Sequence, residues 1–130
     1  MNLLKIKSAK QLERQAKKDL EGKSLKSVMQ AIIKSDSHAR VSTKSGVGDV
    51  IELGYFGLKK NNTAAPDIAH LGVEIKTSPL KRGKDGKFRV KEPLSLNIIN
   101  YNDTLKHKRI QDSSLYKKNR KILFIWYVHD

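Results

Sequence analysis

Three apolar runs in the second half of the chain, LGVEIKT, LSLNIINY and KILFIWYV, set the strongest limit on its fold. Each is too short for an independent helix and rich in β-branched and aromatic residues, so each reads as a strand. Lone strands are not stable in water, and these have to pair into a sheet. The first two are joined through PLKRGKDGKFRVKEP, where Asp85-Gly86 has the chemistry of a hairpin tip. A helix or an irregular connection fills the basic stretch between Asn102 and Arg120 on the way to the third run.

The first half has a different period. Ser8 followed by Gln11 resembles a capping box, so AKQLERQAKKDL is expected as a polar, basic helix ending at Gly22. From Ser24 onward, Leu25, Val28, Met29, Ile32 and Ile33 recur at helical spacing and form a stripe suited to core packing. The stretch SDSHARVSTKSG is a polar loop, and VGDVIELGYFGL is expected as a third helix despite its glycines. KKNNTAAP is a linker that Pro66 limits. Helices followed by strands and a helical link indicate a mixed α/β or α+β domain with at least three strands. At 130 residues the chain is long enough for a single domain over residues 1–130. KILFIWYV reads as a central buried strand, and a strand of that kind so near Asp130 implies one part of a larger protein.

Charge narrows the partner. Lys and Arg total 27 against 13 Asp and Glu, a net charge of +14, which favours a polyanion such as nucleic acid. No apolar run approaches the roughly 20 residues that span a bilayer. MNLLKIKSAK lacks the apolar centre of a signal peptide, and no cysteine is present, so a cytoplasmic location is expected.

The stretch DIAHLGVEIKT concentrates the chemistry. Alternation sends Val73 and Ile75 to one face and Glu74 and Lys76 to the other. Asp67 lies seven residues before Glu74, and a turn through AHLG would bring the carboxylates together. Two neighbouring carboxylates repel, and a divalent cation relieves the repulsion; Mg²⁺ suits a site with few protein ligands. Lys76 beside it would orient a water, and a phosphodiester would be the substrate. Acid-x-Lys also occurs at Glu21 and Asp85, and a cross-strand salt bridge explains Glu74 and Lys76 equally well. The residues by themselves leave both readings open.

DIAHLGVEIKT resembles the catalytic segment of the MutH-type endonucleases of the PD-(D/E)xK superfamily, which include Type II restriction enzymes that cut at GATC. Pro66-Asp67 and Glu74-x-Lys76 supply that signature. KSGVGDVIELGYFG resembles the family's acid-bearing helix, LSLNIINY the next strand of the restriction branch, and SSLYKKNRKILFIWYV a segment with a second active-site lysine. The resemblance implies a restriction-endonuclease-like core, a central mixed sheet flanked by helices. It also implies a Type II restriction endonuclease making a Mg²⁺-dependent cut of double-stranded DNA on the 5′ side of G in GATC. Asp67, Glu74 and the backbone carbonyl of Ile75 would hold metal, and Lys76 would position the water. Glu52 would assist a second metal or its water shell, Lys118 (or Lys117 in the alternative register) would reach the scissile region, and Lys44 would contact the DNA backbone. Relatives continue well past the equivalent of Asp130, so a downstream domain or second subunit is expected to share base recognition. The alternative is a non-catalytic basic DNA-binding module on the same fold.

Among the remaining features, Lys81, Arg82, Lys84, Lys87, Arg89 and Lys91 make the hairpin a candidate phosphate-binding surface, and Lys106 to Lys121 is a second basic stretch. His38, His70, His107 and His129 show no metal-ligand spacing, and Lys44-Ser45-Gly46-Val47-Gly48 lacks the ending of a phosphate loop. The eight aromatic residues fall mostly in apolar runs, so a base-stacking platform is not expected.

Overall fold

The computed structural model describes residues 1–35, 46–59, 65–93, 109 and 114–129. They belong to two compact units, Met1–Asn61 and Asn62–Asp130.

The N-terminal unit is helical. A short 3-10 turn (Leu3–Lys5) precedes helix α1 (Ala9–Leu20), whose N-cap is Ser8: its Oγ accepts from the Gln11 N–H at 3.1 Å. The Gln11 Oε1 accepts in turn from the Lys7 N–H at 2.8 Å. One orphan donor of the first turn and the N–H just before the cap are thus satisfied. Leu12 and Ala16, one turn apart, are the buried face of this otherwise charged helix. Helix α2 (Leu25–Ser35) starts where the Ser24 Oγ accepts from the Ser27 N–H. Its buried stripe is narrower than expected: Val28 and Ile32 are buried, Leu25 and Met29 half-buried, but Ile33 is 51% exposed. At 100° per residue, Ile33 lies past the rim of the stripe, beyond the reach of the core.

The third helix begins as a single turn, α3 (Val47–Asp49), and opens into a π-helical turn (Val50–Tyr55). Here the Phe56 N–H reaches five residues back to the Ile51 carbonyl at 2.9 Å. This widening turns Val50, Ile51, Tyr55 and Phe56 all inward. The Tyr55 hydroxyl donates to the Asp19 carboxylate, which also accepts from the Gln15 amide. Burial and the Asp19 charge push the Tyr55 phenol far above its ordinary range. Burial opposes ionisation of Asp19, but the Gln15 and Tyr55 bonds with Lys18 and Lys23 nearby hold it below the usual value.

The second unit is built on a mixed sheet, in the order β2-β1-β3. Strand β1 (Val73–Arg82) is central, β2 (Phe88–Val90) pairs with it antiparallel, and β3 (Lys121–Val128) pairs parallel in the register Val73↔Lys121 to Leu80↔Val128. The hairpin closes at the expected tip, where the Gly86 N–H donates to the Gly83 carbonyl and Gly86 has φ +78°, a conformation that requires glycine. A one-and-a-half-turn helix, α4 (Ser114–Asn119), leads into β3. The expected strand LSLNIINY, residues 94–101, lies outside the described residues.

Strand β1 runs through Pro79, where the expected strand had stopped at Thr77. Odd-numbered residues of β1 turn their N–H away from β3: that of Val73 goes to the Ile68 carbonyl and that of Ile75 to the Asp67 Oδ2. Pro79 has the same parity, so its missing N–H costs no bond to β3. KILFIWYV also differs from expectation. Among the described residues β3 is an outer strand, with Trp126 44% exposed.

Candidate active site

A tight turn brings Asp67 and Glu74 together. Ile68 and Val73 form an antiparallel bridge, with N–H to carbonyl bonds of 2.9 and 3.2 Å in the two directions. Residues 69–72 make the loop between them, closed by Leu71 and Gly72 N–H bonds to the carbonyls of Ile68 and Ala69. Gly72 has φ +66°, so a side chain there would strain the turn. Asp67 and Glu74 are the residues flanking this bridge and therefore face one another. Each carboxylate accepts from the other's strand: Glu74 Oε2 from the Asp67 N–H at 3.2 Å, and Asp67 Oδ2 from the Ile75 N–H at 3.0 Å.

Glu74 is buried, at 4% exposure, between Val73 at 3% and Ile75 at 1%. Its carboxyl is pushed up to about 7, first by burial and then by the Asp67 charge and their hydrogen bond, against the opposing pull of Lys118. An exposed cross-strand pair does not have this character. The Lys118 Nζ stands 4.0 Å from the Glu74 Oε1, delivered by α4 just before β3 pairs with β1. Lys117, one residue earlier, is exposed, and Lys118 is the one that turns inward. Lys76 is half-buried on the Glu74 face of β1, directly across from Phe124.

The other candidates are carried by other segments. Glu52 lies in the π-helical turn of the N-terminal unit, and Lys44 is outside the described residues. His70 is exposed in the loop between the two acids, and His129 is exposed just past β3. Lys81, Arg82, Lys84 and Lys87 are exposed on the hairpin, where the Arg82 guanidinium sits 5.1 Å over the Phe88 ring. Arg89 is held by Asp85 through two bonds of 3.1 and 2.8 Å. That guanidinium keeps Asp85 below the usual carboxylate range and leaves the hairpin cations at Lys81, Lys84 and Lys87 on display.

Two crowded carboxylates, one of them buried, with one ammonium at the limit of an ion pair form a site where two full negative charges are costly. Such a donor set fits a hard divalent cation that takes few protein ligands. No group of three or more His, Cys, Asp or Glu side chains able to hold a metal occurs among the described residues. No helix among them is long and apolar enough to cross a membrane.

The sequence profile of the DNA mismatch repair enzyme MutH matches residues 56–130, more than half of the chain. The chain belongs to the MutH family. Its MutH-type region covers the mixed sheet and both acids, and the α+β architecture is that of a restriction-endonuclease-like core. Within reach of this MutH match is the Type II restriction enzyme Sau3AI of Staphylococcus aureus, 44% identical over 85 residues. That alignment covers 65% of this chain but only 17% of the relative's length. No solved structure matches the chain.

Proximity of Lys118 to Glu74 was not derivable from residue pattern, because it depends on the parallel register of β3. The same register reveals aromatic residues that the apolar run had hidden. Phe124 and Trp126 pair with Lys76 and Ser78 and so share the face of Glu74.

Proposed function

We propose that the chain is the catalytic part of a Type II restriction endonuclease, hydrolysing phosphodiester bonds of double-stranded DNA at GATC with Mg²⁺. The observation that carries this reading is the facing Asp67–Glu74 pair, with Glu74 buried and Lys118 beside it. A module that only binds DNA has no use for two facing carboxylates, one of which burial and its neighbour's charge raise to about 7. The 44% identity to a restriction enzyme and the +14 charge point the same way.

Asp67, Glu74 and the Ile75 carbonyl would hold the cation. Bound there, Mg²⁺ supplies a Lewis acid to the scissile phosphate and lowers the pKa of a bound water. The backbone N–H groups of Asp67 and Ile75 fix the carboxylates so that their free lone pairs point toward a ligand. Lys76, on the same face, orients the attacking water and offsets phosphate charge. Lys118 balances the charge that builds on the phosphate, and at rest it partly neutralises Glu74. Glu52 serves the water shell of a second cation, and Lys44, Lys81, Arg82, Lys84, Lys87 and Lys117 contact the backbone of the duplex. Residues outside these 130 share in base recognition, whether from a further domain or a second subunit. A cytoplasmic site of action follows from the substrate.

The test uses plasmids with and without adenine-methylated GATC sites, incubated with the chain and Mg²⁺, with the ends mapped. Discrete ends at GATC support both activity and specificity. Binding without cleavage would assign the chain to the non-catalytic alternative, and cleavage that persists in chelator would overturn the metal mechanism.

A further inference from the structure

The face of the sheet that carries Glu74 and Lys76 does not end with them. In the register of β1 with its neighbours, Phe124 lies across from Lys76, Trp126 from Ser78, and Val128 and Val90 flank Leu80 on either side. Residues paired directly across a sheet point to the same face, so these side chains continue the surface on which the acids stand. Phe124 and Trp126 are stacked, with ring centroids 5.2 Å apart and planes 9° from parallel. Trp126, Val128 and Val90 are all exposed, and next along the hairpin Phe88 is exposed with Arg82 above its ring. This is an aromatic ledge bordered by cations, beginning beside the candidate active site.

We infer that this ledge takes a nucleobase turned out of the stack of the bound DNA, with Trp126 as the stacking residue and Phe124 as its backing. The inference rests on the nuclease reading of the same face. Three observations favour a base over a protein surface. The rings are fixed in one orientation by their own stack, which removes the ordering cost of presenting an aromatic face. The bordering charges are the buried Glu74 at one end and the more accessible Lys76 and Arg82, a set whose exposed members suit an anionic partner, whereas a second copy of this +14 chain would be repelled. Finally, Ser78 lies four residues beyond Glu74, about 13 Å along the strand. That separation is within reach of a base turned out of the duplex near a phosphate held at the acids.

Trp126 is the sole tryptophan in the chain, so its emission reports on the ledge alone. The full chain, in EDTA to prevent cleavage, is titrated with a fluorescein-labelled GATC duplex and separately with heparin, a polyanion without bases. The expected result is quenching of Trp126 that follows duplex binding, read independently by fluorescein anisotropy, and no quenching by heparin at saturation. The variant Trp126→Leu keeps an apolar side chain but cannot stack; it should bind duplex roughly tenfold more weakly and heparin unchanged. A silent Trp126 with duplex bound, equal quenching by heparin, or an emission shift that grows with protein concentration without DNA would overturn the ledge. If the duplex is bound and, with Mg²⁺ restored, cut while Trp126 stays silent, the ledge fails and the nuclease reading stands. If no duplex is bound, both fail.

Discussion

The two ends of strand β1 treat charge in opposite ways. At its start Glu74 is enclosed beside Asp67, with its own ionisation opposed by burial. At its end Lys81 and Arg82 stand in solvent and lead into a hairpin whose lysines are exposed. One continuous strand thus joins a place where charge is confined to a place where it is displayed. Confined charge is costly, and it is retained where chemistry or a cation uses it. Displayed charge costs little and attracts polyanions from a distance. On the proposed function the contrast would separate cutting from holding along one strand, and substitutions can test it.

The largest effect is expected at the confined end. Asp67→Asn and Glu74→Gln should each lower Mg²⁺-dependent cleavage by at least about 100-fold while changing duplex affinity by less than about threefold. Plasmid nicking assays and labelled-duplex binding measure the two separately. Equal losses in both would erase the distinction between the ends. Lys76→Met should follow, with cleavage reduced by about 10- to 100-fold and affinity by less than cleavage.

Stability against pH gives a third test, on the order of 3 kcal/mol in metal-free protein. The folded value of Glu74 is raised to about 7 from an ordinary 4.5, so the folded state holds its proton more tightly than the unfolded state. Its contribution is fully present below pH 4.5 and is lost as pH rises to 7. Urea unfolding in EDTA across that window should show stability falling, and Glu74→Gln should flatten the slope. Added Mg²⁺ should raise the melting temperature more at pH 8 than at pH 5.

At the displayed end the effects are smaller and of another kind. Lys81→Ala and Lys84→Ala should each weaken binding evenly across DNA sequences and reduce the salt slope by about 1, with the cleavage rate of bound DNA unchanged. Smallest of all is Asp85→Asn. It releases Arg89 from an exposed pair, and melting should show no resolvable change.

The confined end was legible from residue pattern because its geometry is local. Strand alternation placed Glu74 with Lys76, and the short AHLG loop allowed Asp67 only one way to meet them. Ser8 and Asp85-Gly86 were legible for the same reason, since caps and tight turns are decided by adjacent residues. What failed depended on distant pairing. Pro79 looked like a strand end until the parity of the β1 N–H groups was known, and KILFIWYV looked central although among the described residues it pairs with β1 alone. Ile33 fitted the helical stripe by spacing, but its burial depends on what packs against α2. The widening at Val50–Tyr55 has no residue signature beyond scattered glycines.

The four-residue loop between Ile68 and Val73 also bears on when the site is born. A turn of that size closes in about 1–10 μs, whereas the parallel pairing that delivers Lys118 must wait for a strand nearly fifty residues later in synthesis. On a ribosome adding about 5–20 residues per second, that wait lasts seconds. Throughout it the emerging chain carries two facing carboxylates and no lysine from α4 to calm them. On the proposed function, the two acids that would hold a cation are synthesised well before the α4 lysine that would meet the phosphate.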